Sequence, residues 1–191
     1  MALDYNGMHA TCRTYADQIL RSGFNDSCGR HGVGVYFWES SKDKPEIRTL
    51  ARELSESFYE DRIRFFNSAN DSSLSILEAD ITLSDESQIL DFEEMSISQM
   101  FSVFIQKSKQ LNTASNNDKQ ARINSSAIML AFIKMVEEIR NSNILVIRVK
   151  TQAPTSFRQR LSRTFEFLNI DRQSCFVVRD KSVISNLQKL S

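Results

Sequence analysis

The stretch MHATCRTYADQILRSGFNDSCGRHGVGVYFWE, Met8 to Glu39, holds four of the chain's five glycines and both of its histidines, with Gly7 immediately before it. Beyond Gly34 there is no further glycine. Glycine accepts positive φ and lets backbone or ligand approach closely, so the chain gathers its permissive backbone at one end. Within CGRHGVGVYF, Gly29, Gly32 and Gly34 stand just ahead of a β-branched and aromatic run, Val33 to Trp38, that reads as a short buried strand. The order is helix, glycine loop, strand. The dinucleotide fingerprint needs strand, glycine loop, helix, and no Gly-Lys-Ser/Thr is present to make a phosphate loop. On spacing alone a tight turn is the simpler reading.

Working outward, Thr14 is placed to cap a short helix through about Arg21, and Gly23 to stop it. Pro45 suits the first turn of a long helix from about Glu46 to Phe66, with Leu50, Leu54, Phe58, Ile63 and Phe66 along one stripe. SILEADITL follows with period two; Leu77, Ala79, Ile81 and Leu83 form one side, which predicts a strand with its other face wet. Two helices fill the middle. One starts at Ser96 or Ser98 and carries Met100, Phe101, Phe104 and Ile105; the other runs from about Gln120 to Asn141 with Ile128, Phe132, Met135 and Ile139 buried. The polar loop Asn112 to Asp118 lies between them. NILVIRVKT and SCFVVRD read as two more strands, separated by the basic stretch Phe157 to Phe167. Strands at both ends with helices between predict a mixed α+β domain over residues 1–191 with a helical insertion at about 96–141.

Bulk properties narrow the function. The 191 residues carry 24 basic and 24 acidic side chains, so no global field draws the chain to nucleic acid or anionic membrane. No apolar run spans a bilayer and no signal-peptide pattern opens the sequence, which predicts a cytoplasmic protein with no membrane partner. Cys12, Cys28 and Cys175 are odd in number and widely spaced; they predict neither a disulfide framework nor a metal site.

The order of residues in Tyr5 to Glu39 carries a resemblance. His9-Ala10-Thr11 lies in a strand-like start. Ala16, Ile19, Leu20, Gly23 and Phe24 follow, then Gly32, Gly34, Val35, Tyr36 and Phe37. This resembles the first half of the ADP-ribosyltransferase superfamily, in the branch shared by diphtheria toxin and the poly(ADP-ribose) polymerases, and most of all its small bacterial toxin-type members. Farther on, ILEADITLSDESQILDF and CFVVRDKSVI are similar only in architecture. The resemblance implies a split mixed β-sheet, NAD as substrate and no metal. It implies that His9 orients the ribose hydroxyls, that the backbone of Ala10 and the Thr11 hydroxyl grip the nicotinamide amide, and that Tyr36 packs on the nicotinamide ring. Gly32, Gly34 and Arg30 would then lie along the cofactor, with the glycines where its phosphates and ribose pass close to backbone. Arg30 and His31 read equally as solvated loop residues.

Two positions depart from the pattern. Relatives carry a second stacking aromatic where Ile47 stands. They also carry a glutamate at the start of the last core strand, where it stabilises developing positive charge; by register that position is Cys175, with Gln173 two residues earlier. Three readings stay open: another acid such as Glu166 reaches in, Gln173 performs a reduced version of the role, or the copy is catalytically weak. Taken together, the resemblance implies a mono-ADP-ribosyltransferase whose catalytic positions are His9, Tyr36, Gln173 and Cys175. The acceptor would be a macromolecule, RNA, DNA or protein, with a nucleic acid favoured by the basic tail containing Arg158, Arg160, Arg163, Arg172, Arg179 and Lys181. A toxin–antitoxin or phage-defence setting with an inhibitory antitoxin-like protein fits that style. A silent relative that binds NAD or nucleic acid, and an interaction protein whose glycine loop is only a turn, are the alternatives.

Overall fold

The computed structural model describes residues 2–107, 118–161 and 171–190. Glu166, Arg163 and the loop 112–117 lie outside the described residues.

The chain begins as a ten-residue strand, β1 (Leu3–Cys12), and turns directly into α1 (Arg13–Ser22). Thr14 does not cap this helix. Its hydroxyl donates to the Asp71 carbonyl at 3.1 Å and accepts from the Asp71 N–H at 2.8 Å, tying the helix start to a distant loop. The helix ends at Gly23, whose φ of +79° lets its N–H close on the Ile19 carbonyl at 2.8 Å. A short hairpin follows, β2 (Ser27–Gly29) and β3 (Gly32–Ser40), with Arg30 and His31 at its tip. Next comes α2 (Pro45–Arg62), with proline in its first turn as expected, continued by a 3-10 turn, Ile63–Phe66. The remaining elements are β4 (Leu74–Leu83), β5 (Ile89–Asp91), α3 (Met95–Lys107), α4 (Asp118–Arg140), β6 (Val146–Gln152), α5 (Thr155–Arg160), β7 (Arg172–Val178) and β8 (Ile184–Leu190).

The strands form one mixed sheet in the order β5-β6-β7-β3-β1-β4-β8, with β2 on β3. Among the described strands, only β5 and β6 pair in parallel. The mixed α+β class is the one the pattern predicts.

Each face of the sheet has its own cover. Phe24, Val35, Phe37, Leu77, Ala79, Ile81, Phe176 and Val178 pack under Ala16 of α1 on one face. On the other, α2 covers β1 and β4 through Met8, Ala51 and Ile76, while α4 covers β6 and β7 through Phe132, Ile133, Val136, Ile147 and Val177. The expectation of a wet face on β4 therefore fails: Ile76 and Glu78 lie under α2, 5% and 1% exposed. Arg48 clamps both Glu78 oxygens there, at 3.0 and 2.8 Å, and Gln188 donates a third hydrogen bond at 2.9 Å, contacts that offset the cost of burying the side chain. The stripe of α4 is also rotated from expectation. Met129, Phe132, Ile133 and Val136 are buried, whereas Ile139 is 67% exposed.

Cations from Arg148 onward pair with acids drawn from across the chain. Arg148 binds Glu39 and Asp91, Arg160 binds Glu60, Arg179 binds Glu137, Lys181 binds Asp26 and Lys189 binds Asp17.

Candidate functional site

The ladders on the two sides of β1 differ in length. Against β4 the register runs without interruption from Leu3↔Leu83 to Cys12↔Leu74. Against β3 it covers only Asn6↔Ser40, Gly7↔Glu39 and Met8↔Trp38. Past Met8 the two strands part, and β3 pairs with β7 from Val35↔Val178 to Trp38↔Cys175. The sheet is therefore breached between His9–Cys12 and Gly32–Phe37.

His9 bridges the breach. Its side chain leaves β1 on the α1 face, edge-on to Phe24 and Phe37 with centroids 5.2 and 5.8 Å away. Its Nδ1 lies 2.9 Å from the Tyr36 carbonyl oxygen. That oxygen can only accept, so Nδ1 carries the hydrogen and Nε2 is left as a bare acceptor. Burial holds the His9 pKa below its usual value and the Tyr36 contact offsets part of the shift, so the ring is neutral at pH 7.

Tyr36 is fixed at its far end. Its hydroxyl donates to the Gly32 carbonyl at 2.8 Å and accepts from the His31 N–H at 3.3 Å. Burial, first of all, pushes its pKa far up, so it stays a phenol. The ring lies so close under the hairpin that a Cβ on Gly29 would stand 2.2 Å from the hydroxyl oxygen. Gly34 and Gly7 are needed for similar reasons: a Cβ would stand 2.5 Å from the Val178 carbonyl oxygen and 2.6 Å from the Phe37 Cβ, respectively. Gly7, Gly29 and Gly34 answer to the packing of the sheet and of Tyr36, and Gly23 and Gly32 to positive φ, which accounts for their clustering without any ligand.

The hairpin tip is docked on both neighbours. Ser125 of α4 donates to the Arg30 carbonyl at 2.7 Å, and His31 Nε2 lies 3.1 Å from the Thr151 hydroxyl of β6. Burial, with Arg30 beside it, lowers the His31 pKa to about 4.

A cleft of about 520 Å³ opens beside the breach, on the face where α2 and α4 leave the sheet uncovered. Met8, Ala10, Tyr36, Trp38 and Cys175 line it, and His9 reaches it through the gap. The hairpin, residues 27–31, forms one wall; Phe58, Asp61 and Arg62 of α2 and the segment 151–155 with Arg158 form the others.

Of the residues singled out from sequence, His9, Ala10, Arg30, Tyr36 and Cys175 share this cleft, whereas Thr11, Gly32, Gly34 and Gln173 are not among its lining. Thr11 is 5% exposed. Gly32 acts through its carbonyl on Tyr36. Ile47 does not line the cleft; Trp38 and Phe58 supply its aromatic walls. Strand alternation puts Cys175 on one face with Val177 and Arg179 and predicts partial access to solvent, but Cys175 is 3% exposed. It stands mid-strand between Trp38 and Val149, flanked on both sides. Burial, chiefly, pushes its thiol up to about 12, so it is protonated and inert at neutral pH.

Charge in the cleft is one-sided. Arg30, Arg62 and Arg158 line it, and none of the three makes an ion pair among the described residues. Its one carboxylate, Asp61, accepts from the N–H groups of Thr155 and Ser156, at 2.6 and 3.1 Å. No group of three or more His, Cys, Asp or Glu side chains is placed to hold a metal among the described residues, and none of the described helices is long and apolar enough to cross a membrane. The cleft offers flat apolar walls, a neutral imidazole and three guanidiniums without an ion pair among the described residues, a set suited to an anionic ligand with an aromatic base. Phe58 and Arg62 went unrecognised as site residues in the sequence, and Arg158 stood out only as part of the basic tail, because each comes from a segment remote from the glycine-rich stretch. The i, i+4 spacing of Phe58 and Arg62 is the one local signal.

Comparison with known proteins finds no matching family model, no similar curated protein and no similar solved structure.

Proposed function

We propose that the cleft binds NAD and that the chain is a mono-ADP-ribosyltransferase acting on a macromolecule, with a nucleic acid preferred to a protein. The observation that carries this reading is the His9 bridge. A neutral imidazole spans a breach in the sheet beside a cationic, aromatic-walled cleft that His9 helps to line, with Nδ1 on the Tyr36 carbonyl and Nε2 without a hydrogen-bond partner among the described residues. The parting of β1 and β3 supports the split-sheet form of an ADP-ribosyltransferase-like fold. His9 Nε2 accepts from a ribose hydroxyl, the pinned ring of Tyr36 and the Trp38 indole supply flat surfaces for the nicotinamide, and Arg30 and Arg158 meet the pyrophosphate. In the reaction the bond from the anomeric carbon to the nicotinamide nitrogen breaks. Nicotinamide leaves neutral with the electron pair. A nucleophilic oxygen or nitrogen of the acceptor bonds to the same carbon and releases its proton to solvent.

A second reading, a silent relative that binds NAD without turnover, draws on Cys175. The thiol offers no negative charge to a developing cation, and Asp61 and Glu39 are engaged by backbone N–H groups and by Arg148. Titration of NAD by calorimetry, run beside an assay of free nicotinamide, separates the readings. Saturable binding with nicotinamide release supports the transferase, binding without release supports the silent relative, and no binding removes both and leaves an interaction protein. Cys175→Ala is expected to leave release unchanged, since a protonated thiol has no part in it.

A further inference from the structure

The end of α2 exposes aromatic surface that no packing role explains. Phe65 is 69% exposed, Ile63 50% and Phe58 36%. Arg62 stands between the two rings, its guanidinium carbon 5.5 Å from the centroid of each. The guanidinium is thus held in place by cation–π contact while its charge is left unpaired among the described residues. Phe58 and Arg62 line the cleft, and Phe65 lies just outside that lining. The nearby carboxylates are committed, Asp61 to the start of α5 and Glu60 to Arg160.

We infer that Phe58, Arg62 and Phe65 form the acceptor platform at the cleft mouth, and that its occupant is a single-stranded nucleic acid. This rests on the transferase reading. A base freed from pairing stacks on the open Phe65 ring, and the adjoining phosphate meets Arg62. Alternating rings and guanidinium faces suit unpaired bases, whose π-surfaces are accessible; a duplex hides those surfaces and offers grooves instead. The cleft beside the rings is lined by three guanidiniums with no ion pair among the described residues, and the carboxylates near Arg62 are committed, so the charge of the surface complements a phosphate backbone.

The test uses the full chain and a fluorescein-labelled single strand of about 20 nucleotides, a few times the span of one binding groove. The wild type is expected to bind it with affinity that falls steeply as salt rises. Phe65→Ala and Phe65→Leu should each weaken binding about 5- to 150-fold, the range for loss of one stacked base, and Phe65→Trp should restore it. Because Phe65 is exposed, its variants should melt with the wild type, and their NAD affinity by calorimetry should be unchanged. Equal binding by wild type and Phe65→Leu, tighter binding of the duplex than of the single strand, or transfer to one protein insensitive to Phe65 overturns the platform. Weaker NAD binding in Phe65→Ala also overturns it, because the ring then holds the adenine. If the wild type binds no NAD while strand binding still depends on Phe65, the transferase reading fails and the platform stands.

Discussion

Arg148 and Arg158 are close in sequence and stand in opposite electrostatic company. Arg148 is one-quarter exposed and holds both oxygens of Glu39 at 2.9–3.0 Å and Asp91 at 3.1 Å, with Glu93 at 3.8 Å. These carboxylates fix where β3, β5 and β6 lie relative to one another. Arg158 donates to the Ala153 carbonyl at 3.1 Å and otherwise faces the cleft. The first cation is spent on the fold, and the second is held ready for something outside it. Two variants separate these roles. Arg148→Met leaves three carboxylates facing one another and should destabilise the protein by about 3 kcal/mol, the lower end for breaking a buried pair, read as a lowered denaturant midpoint. Arg158→Met should leave that midpoint within about 0.5 kcal/mol of wild type and weaken NAD binding about tenfold, as for one lost charge-assisted hydrogen bond. A large stability loss in Arg158→Met would erase the distinction.

The hairpin sharpens the comparison, since it joins fold and site. Gly29→Ala forces a Cβ against the Tyr36 hydroxyl and should cost about 1–3 kcal/mol of stability through overpacking, with a parallel loss of NAD binding. Retained NAD affinity would mean that the Tyr36 ring has no part in the cleft.

A further effect comes with pH. His31 has its pKa lowered to about 4 from 6.5, so it is neutral in both folded and unfolded chains above about pH 6.5, and its full contribution is present there. As pH falls from about 6.5 toward 4 the unfolded state takes up the proton first and up to about 3 kcal/mol of stability is lost. His31→Gln should flatten that part of the stability profile. His9 is shifted in the same direction, so any NAD turnover should fall on acidification as Nε2 gains a proton and ceases to accept.

The regions differ in how much of them the sequence discloses. α1 and β3 are legible because their signals are local, a stop glycine and a β-branched run behind a glycine turn, and β1 shows as the strand-like start that carries His9. β2 and β5 are too short to show a period, and β8, ISNLQKL, is an edge strand whose mixed polarity hides it. The rotation of the α4 stripe follows from tertiary contact with β6 and β7, which periodicity cannot register. The burial of Cys175 is similarly non-local, set by Trp38 and Val149 on the two neighbouring strands. In the cleft, His9, Tyr36 and Arg30 stand inside one motif and can be read together. Phe58, Arg62 and Arg158 meet them only because α2 and α5 pack on each other beside the breach.

The most direct test of the central claim is the rate of nicotinamide release from NAD by wild type and by His9→Ala, with folding of both checked by their melting. The proposed role of His9 predicts release by the wild type and a loss of about tenfold or more in His9→Ala, from one buried hydrogen bond to the ribose, with His9→Gln recovering part of it. Release at the wild-type rate from a folded His9→Ala protein would contradict the account.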